Sequence, residues 1–130
     1  MSLVVDTSVI IAVLTNEKSK SNLVKLTKGE DLIAPSSLTW EIGNAFSAML
    51  KRDRITFEMV KIALESYSKI PLRFFEVDLS ASLRIANQYR IYAYDAYFLE
   101  CARKFNLPLV TIDNGLLSVA KEMNIKIIEV

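Results

Sequence analysis

Four acidic side chains in this sequence have the type and the surroundings needed for metal-dependent chemistry. They are Asp6, Glu41, Asp95 and Asp113, and we call them the acidic cluster. Each follows a short apolar run or stands near the expected start of a helix. Carboxylates gathered in one place raise one another's pKa values, and a hard cation such as Mg²⁺ or Mn²⁺ offsets the repulsion. Because such ions polarise phosphoryl oxygens and activate water for in-line attack, the cluster is suited to hydrolysis at phosphorus.

The composition excludes several other kinds of active site. The sequence contains no histidine, and Cys101 is its only cysteine. Nucleophilic sites that depend on a histidine base are therefore excluded, as are zinc sites built from cysteine and histidine. No intrachain disulfide can form, which agrees with a reducing, cytoplasmic location. The apolar stretch 9–14 is too short to span a bilayer, so we expect a soluble protein.

Apolar runs and helical patterns recur along the chain, and these elements must position the acidic cluster. Short strands are predicted at 3–5, 31–34, 73–77, 109–111 and 125–129. Helices are predicted at 7–14, 18–28, 36–54, 56–69, 80–89, 95–105 and 114–123. This pattern is typical of an α/β fold with three layers, in which helices flank a mainly parallel central sheet of about five short strands.

A parallel sheet would bring the acidic cluster to one edge. Right-handed crossovers make each intervening helix begin at the edge where the strands end. Asp6 directly follows the first strand, and Asp113 lies shortly after the fourth. Glu41 and Asp95 are expected near the starts of their helices. Ligands of such folds bind outside the carboxyl ends of the strands, so one site with Mg²⁺ or Mn²⁺ as its cofactor is expected there.

Each member of the cluster also has an ordinary structural explanation. The three aspartates would serve as helix N-caps, and Glu41 would gain from the helix dipole. The convergence of all four on one edge favours a functional role. Polar neighbours could position substrate or water in the same site, and these are Thr7, Ser8, Asn44 and Thr111. Thr7 and Ser8 are equally consistent with a plain helix start, and Asn44 with a solvated side chain.

Length and charge indicate one domain with a modest affinity for phosphate. At 130 residues, the chain has the usual size of a single domain, 1–130, with one core. Its 52% of apolar residues leaves some apolar surface for a partner. Of the 15 acidic residues, 11 remain outside the cluster against 16 basic ones. The basic side chains that could follow a phosphate backbone are Lys51, Arg52, Arg54, Arg84, Arg90, Arg103 and Lys104.

The motifs around the acidic cluster resemble those of a known family. They are Asp6-Thr7-Ser8, Glu41-Ile42-Gly43-Asn44, Tyr94-Asp95-Ala96 and Thr111-Ile112-Asp113-Asn114. Over nearly the whole chain, their order and spacing resemble those of PIN-domain nucleases, especially VapC-type toxins of prokaryotic toxin–antitoxin pairs. The resemblance implies an endoribonuclease that needs Mg²⁺ or Mn²⁺, cleaves single-stranded RNA and uses the acidic cluster both for catalysis and for metal binding. It also implies that Thr111 is the hydroxyl residue that often precedes the last acid.

The same resemblance implies two protein partners. Members of the family commonly form homodimers, and the toxins are inhibited by a cognate antitoxin whose tail lies across the active-site groove. Trp40, Phe46 and Phe57 could contribute to these contacts, with burial in the core as the alternative. One departure concerns Asn114, since some relatives carry a further acid just beyond the last aspartate. We therefore expect one tightly held ion, with any second ion arriving with the substrate.

Two other functions are compatible with parts of the pattern. The first is a phosphoacceptor receiver domain, in which Asp78 would be the acceptor, Thr111 its hydroxyl and Lys126 its lysine. Such a domain needs paired acids after the first strand, whereas hydroxyl residues follow Asp6, and it leaves two members of the cluster without a role. The second is a non-catalytic module that binds RNA or protein through the same fold. It leaves the convergence of four acids unexplained.

Overall fold

The computed structural model describes residues 1–130 as four strands and seven helices. The strands are β1 (Ser2–Val5), β2 (Asp31–Pro35), β3 (Leu72–Phe75) and β4 (Leu109–Val110). The helices are α1 (Thr7–Leu14), α2 (Lys20–Thr27), α3 (Leu38–Lys51), α4 (Phe57–Ser68), α5 (Leu79–Tyr89), α6 (Ala93–Phe105) and α7 (Asn114–Glu122). All seven predicted helices form, and the predicted α/β class is confirmed.

The four strands form one parallel sheet in the order β3-β2-β1-β4. The central strand β1 pairs with β2 on one side, where Leu3 faces Leu32, and with β4 on the other, where Val4 faces Leu109. Leu3, Val4 and Val5 are buried in succession, as expected for a parallel strand covered by helices on both faces. Because all strands run in one direction, their carboxyl ends lie at the same edge, which we call the carboxyl edge.

Side chains at the helix starts explain where several of these helices begin. Four N-cap side chains accept a hydrogen bond from the backbone N–H three residues later, and they are Asp6, Thr56, Asp78 and Asp113. Oxygen-bearing side chains satisfy in this way one of the free N–H groups that every helix start leaves. Since Asp78 also caps a helix, capping alone does not distinguish the acidic cluster from ordinary acids.

The prediction of a fifth strand at 125–129 is wrong. This segment makes a single isolated parallel bridge, between Ile127 and Leu109. Two backbone hydrogen bonds support the bridge: the Leu109 N–H donates to the Lys126 carbonyl, and the Ile128 N–H donates to the Leu109 carbonyl. Its partner β4 has only two residues, because the chain leaves the sheet after Val110 and continues toward Asp113 of the acidic cluster. The sheet therefore has four strands instead of about five.

One cluster of 25 buried apolar residues forms the core. Its helical part is centred on α6, where every residue from Phe98 to Ala102 is buried, including Glu100. Of the three aromatic candidates for partner contacts, Phe46 is buried, whereas Trp40 and Phe57 are exposed. Other large apolar side chains also remain exposed, among them Met59, Ile62, Leu79, Leu83, Tyr92 and Tyr94. No helix combines the length and the apolar character that crossing a membrane would require.

Candidate active site

Asp6 is the most buried member of the acidic cluster, and three donors hold it. Only 4% of its surface is exposed. Its Oδ1 accepts hydrogen bonds from the Ser8 hydroxyl at 2.7 Å and from the Val9 backbone N–H at 3.2 Å. Its Oδ2 accepts from the Thr111 hydroxyl at 2.7 Å. Asp6 therefore caps α1 while its carboxylate is fixed between the loops that follow β1 and β4.

Two hydroxyl groups join these loops to each other. The Ser8 hydroxyl accepts from the Ile112 N–H at 3.3 Å, and the Thr111 hydroxyl accepts from the Asp113 N–H at 3.0 Å. Both hydroxyls also donate to Asp6, so each makes contacts with an acid and with the backbone. These contacts favour an indirect role, in which Ser8 and Thr111 fix the acids. Direct positioning of substrate or water by these residues stays a prediction.

Glu41 lies in the first turn of α3 and is half-buried. Its Oε1 accepts a hydrogen bond from the Thr7 hydroxyl at 3.0 Å, and its Oε2 accepts from the Ser37 hydroxyl at 3.0 Å. Ser37 was missed by the sequence-based prediction, although it stands four residues before Glu41, on the same face of the helix. Asn44, predicted to position substrate or water, is exposed one turn later on α3, and its role stays a prediction.

Asp95 and Asp113 extend the cluster from α6 and α7. Asp95 lies in the first turn of α6 and is half-buried. Asp113 is exposed, and its Oδ1 caps α7 by accepting from the Leu116 N–H at 3.1 Å. A side-chain carbon at Gly115 would lie only 3.2 Å from that oxygen, so glycine leaves room for the carboxylate. The two acids thus lie at helix starts on the carboxyl edge, as predicted. The alternative interpretation of Asp95 as an N-cap is wrong, because α6 begins two residues earlier and Tyr92 holds the N-cap position.

The pKa values show that these carboxylates act on one another. Burial raises the pKa of Asp6 to about 6, although the hydrogen bonds from the Ser8 and Thr111 hydroxyls lower it, and the negative charge of Asp113 adds to the increase. Burial likewise raises the pKa of Glu41 to about 7, with contributions from Asp95 and Asp6. Burial and the charge of Asp113 also raise the pKa of Asp95. None of the four ion pairs in the structure involves the cluster, so no basic side chain offsets this repulsion.

The chemistry of the cluster fits a hard divalent cation. Its donors are carboxylate oxygens, which Mg²⁺ and Mn²⁺ prefer, and the cluster contains neither nitrogen nor sulfur ligands. The raised pKa values of Asp6 and Glu41 reflect an excess of negative charge that a cation would reduce. No three acidic side chains are already arranged around a common point suited to an ion. Binding would therefore require side-chain rotation, for which Asp95 is the freest, because hydrogen bonds hold the other three acids.

A measurable consequence is that the metal-free protein should become more stable on mild acidification. Asp6 and Glu41 have raised pKa values, so between pH 8 and pH 5 the folded state takes up protons that the unfolded state does not, and the free energy of unfolding rises. One pKa unit corresponds to about 1.4 kcal/mol. Allowing for solvent screening of the partly exposed Glu41, we expect a gain of about 3 kcal/mol, or about 10 °C in Tm.

Thermal unfolding in chelator at pH 8 and pH 5 measures this effect directly. The pKa of Asp31 is lowered by its hydrogen bonds with Arg73, so this carboxylate stays ionised throughout the range from pH 8 to pH 5. Its contribution to stability is therefore lost only at lower pH. Addition of Mn²⁺ at pH 8 should raise the Tm as acid does, because the cation binds the folded state. A Tm that falls steadily from pH 8 to pH 5 would contradict the repulsion inferred for the cluster.

The strand order excludes the receiver interpretation. A receiver domain has the flavodoxin-like order 2-1-3-4-5, in which the first strand lies between the second and the third. Here β1 lies between β2 and β4, and β3 is at the edge. In that interpretation, Asp78 would be the phosphate acceptor. Its carboxylate instead accepts a hydrogen bond from the Ala81 N–H at 2.8 Å and caps α5. Asp78 therefore has a structural role away from the centre of the sheet.

Several solved structures have the same fold as this chain. The chain superposes on PAE2754 from Pyrobaculum aerophilum with a TM-score of 0.70, at 23% identity over 92% of this chain and 87% of that one. VapBC2 from Rickettsia felis, bound to a DNA fragment from its promoter, gives a TM-score of 0.66 at 14% identity, over 98% of both chains.

A third solved structure is VapC20 from Mycobacterium tuberculosis, a toxin that cleaves the sarcin–ricin loop. It gives a TM-score of 0.63 at 13% identity, over 89% of this chain and 93% of that one. Identities this low establish the fold alone. A comparison with curated proteins gives no significant match. The family model of the PIN domain matches residues 3–122, which includes the whole acidic cluster, and the chain therefore belongs to the PIN domain family.

Proposed function

We propose that this protein is an endoribonuclease that depends on Mg²⁺ or Mn²⁺ and cleaves single-stranded RNA. The observation that carries the proposal is the meeting of four acids at the carboxyl edge, where three of them have raised pKa values and none has a basic partner. Membership of the PIN domain family supports nuclease activity. RNA as the substrate is supported by the likeness to VapC20, a toxin that cleaves the sarcin–ricin loop.

The members of the cluster would hold the metal and act on the phosphodiester in different ways. When bound, Mg²⁺ or Mn²⁺ supplies positive charge that polarises a phosphoryl oxygen and favours attack by water. Asp6 is buried and held by three donors, so its carboxylate gives the site a fixed point. Glu41 is held by two hydroxyls, while Asp95 and Asp113 are more accessible from the solvent side. Hydrolysis would break one P–O bond and transfer the elements of water across it.

We also propose the partners and location that accompany such a nuclease. Exposed apolar side chains on α3, α4 and α5 supply surface for a homodimer and for a cognate antitoxin. The likeness to the VapBC2 complex supports the antitoxin, which would make this chain the toxin of a toxin–antitoxin pair. A cytoplasmic location is proposed from the single, buried cysteine. A sedimentation experiment that finds only monomer at micromolar concentration would contradict the homodimer.

A non-catalytic binding module is the second candidate function. It has the same fold and could use the same exposed apolar surface. In such a module, the repulsion within the acidic cluster would be a cost in stability without a benefit. The two candidates are separated by whether RNA is cut when a divalent cation is present.

The test incubates the purified protein and its Asp95→Asn variant with a mixed pool of single-stranded RNA. Each is assayed with Mn²⁺, with Mg²⁺ and with chelator. We expect cleavage by the parent protein with either cation, no cleavage in chelator and none by the variant, because the amide lacks the charge of Asp95. Metal-independent cleavage, or cleavage that the variant retains, would contradict the proposed mechanism. Binding of RNA without cleavage under every condition would favour the non-catalytic module.

A further inference from the structure

Ser37 stands at the start of α3 but does not cap it. A serine at a helix N-cap usually accepts a hydrogen bond from a backbone N–H of the first turn. Ser37 makes no such bond, and its backbone is helical, with φ −63° and ψ −20°. Its hydroxyl instead donates to Oε2 of Glu41 at 3.0 Å. The N-caps of α1, α4, α5 and α7 accept the expected backbone hydrogen bond, whereas those of α2 and α6, like Ser37, do not. Of the three residues without a capping bond, Ser37 alone donates to a member of the acidic cluster.

Glu41 is consequently held by one hydroxyl on each of its oxygens. Thr7, at the start of α1, donates to Oε1 at 3.0 Å, and Ser37 donates to Oε2 at the same distance. The two donors come from different helices, so together they fix the rotation of the carboxylate as well as its position. Each carboxylate oxygen has two lone pairs, and one donor leaves the second lone pair free for another partner. The arrangement thus orients Glu41 without filling its capacity to bind a cation.

Hydrogen bonds of this kind are usual for a metal-binding carboxylate whose orientation is set by neighbouring side chains. Carboxylates that bind metal ions are commonly hydrogen-bonded by a second layer of side chains, and loss of such a partner weakens metal binding by about 10- to 100-fold. Neither Thr7 nor Ser37 brings a charge, so neither competes with the cation for Glu41. A basic residue in the same place would neutralise the carboxylate instead of orienting it.

We infer that Ser37 is a positioning residue, which acts through Glu41 by turning its carboxylate toward the divalent cation of the proposed nuclease. The inference rests on the proposed function, because it assigns a partner to a carboxylate of that same site. Thr7 has the same positioning role through its hydrogen bond with Oε1 of Glu41. Ser36, the exposed neighbour of Ser37, makes no hydrogen bond with the acidic cluster and therefore provides a matched control.

The experiment measures Mn²⁺ binding by calorimetry, without RNA, for the parent protein and four variants. Ser37→Ala is expected to weaken binding by about 10- to 100-fold, and Ser37→Thr to restore most of it because the hydroxyl remains. Thr7→Val should weaken binding in the same direction, whereas Ser36→Ala should leave it unchanged. The metal concentration for half-maximal RNA cleavage should rise in Ser37→Ala while the rate at saturating Mn²⁺ stays close to that of the parent.

The outcomes separate this inference from the function on which it rests. If the parent binds Mn²⁺ and Ser37→Ala binds it equally well, the positioning role is refuted and the nuclease proposal stands. An equal loss in Ser36→Ala and Ser37→Ala would also refute it, since the effect would then be one of helix stability. If the parent itself binds no Mn²⁺, the proposed function fails and this inference fails with it. Circular dichroism of each variant verifies that the fold is retained.

Discussion

Replacement of Asp6 by asparagine is expected to lower the rate of RNA cleavage by about three orders of magnitude. The amide keeps the volume of the side chain but removes the negative charge at the most buried point of the cluster. A metal ion typically contributes several kcal/mol of charge stabilisation in the transition state, and each 1.36 kcal/mol corresponds to a factor of ten in rate. Initial rates at saturating Mn²⁺, compared between Asp6→Asn and the parent, measure the effect.

The same substitution should make the metal-free protein more stable at pH 8. Asparagine still caps a helix about as well as aspartate, and the Thr111 hydroxyl can rotate to accept from the amide. With the charge removed, the repulsion from Asp113 and the cost of burying an ionised carboxylate both disappear. The Asp6→Asn variant should therefore unfold at a higher temperature than the parent in chelator, and its stability should depend less on pH between 5 and 8.

Asp78→Asn is the matched control for Asp6→Asn. Both residues are N-caps whose side chains accept a hydrogen bond from the backbone N–H three residues later. If Asp6 had only this structural role, the two substitutions should have the same small effect on the rate of RNA cleavage. Asp78 is exposed and does not contribute to the raised pKa values of the cluster. We expect Asp78→Asn to cleave RNA at the parental rate. Equal activity of the two variants would rule out a catalytic role for Asp6.

Replacement of Arg103 by methionine is expected to destabilise the fold by about 3 kcal/mol. The Glu100 side chain is 1% exposed, and Nη2 of Arg103 donates to its Oε2 at 2.8 Å while Nε of Arg103 binds the other oxygen. Removal of one partner from a buried ion pair costs about 3 to 5 kcal/mol, because a charge is left buried without compensation. Since the Arg103 side chain is itself 56% exposed, water can reach the site, and we take the lower end of that range.

Urea unfolding of Arg103→Met, of Lys104→Met and of the double variant Glu100→Leu/Arg103→Met tests this expectation. Lys104 is the exposed basic neighbour, and its replacement should change the free energy of unfolding by less than about 0.5 kcal/mol. The double variant should recover most of the loss, because no buried charge remains. A loss of less than about 1 kcal/mol in Arg103→Met would mean that the pair behaves as a surface ion pair.

The meeting of the acids at one edge was predictable because it follows from rules that operate along the chain. A short apolar run before Asp6 and another before Asp113 mark strands, and parallel connections bring both strand ends to one edge. The partners of the acids were harder to predict. Thr111 lies 105 positions from Asp6, and the hydrogen bond between them depends on the order of strands, which local patterns do not determine.

The ion pair between Glu100 and Arg103 shows where interpretation by residue type fails. Arg103 was placed among the basic residues that could follow an RNA backbone, with an ordinary solvated side chain as the alternative. In the structure its guanidinium binds a buried glutamate instead. The spacing of Ala96, Leu99, Glu100 and Arg103 is helical, so Glu100 lies on the core side of α6. That spacing was the signal available in the sequence.

The strand order has a consequence for how the protein is made. Synthesis proceeds from the amino terminus, so the strand β1 and Asp6 leave the ribosome long before Asp95, Thr111 and Asp113 exist. β1 needs β4 as its neighbour, and Asp6 needs the Thr111 hydroxyl, before the sheet and the site are complete. A nascent chain that ends before Asp95 therefore lacks two of the four acids of the cluster, and its site is incomplete. The proposed nuclease can therefore become active only after the segment that carries β4, Thr111 and Asp113 has been synthesised and has folded against β1.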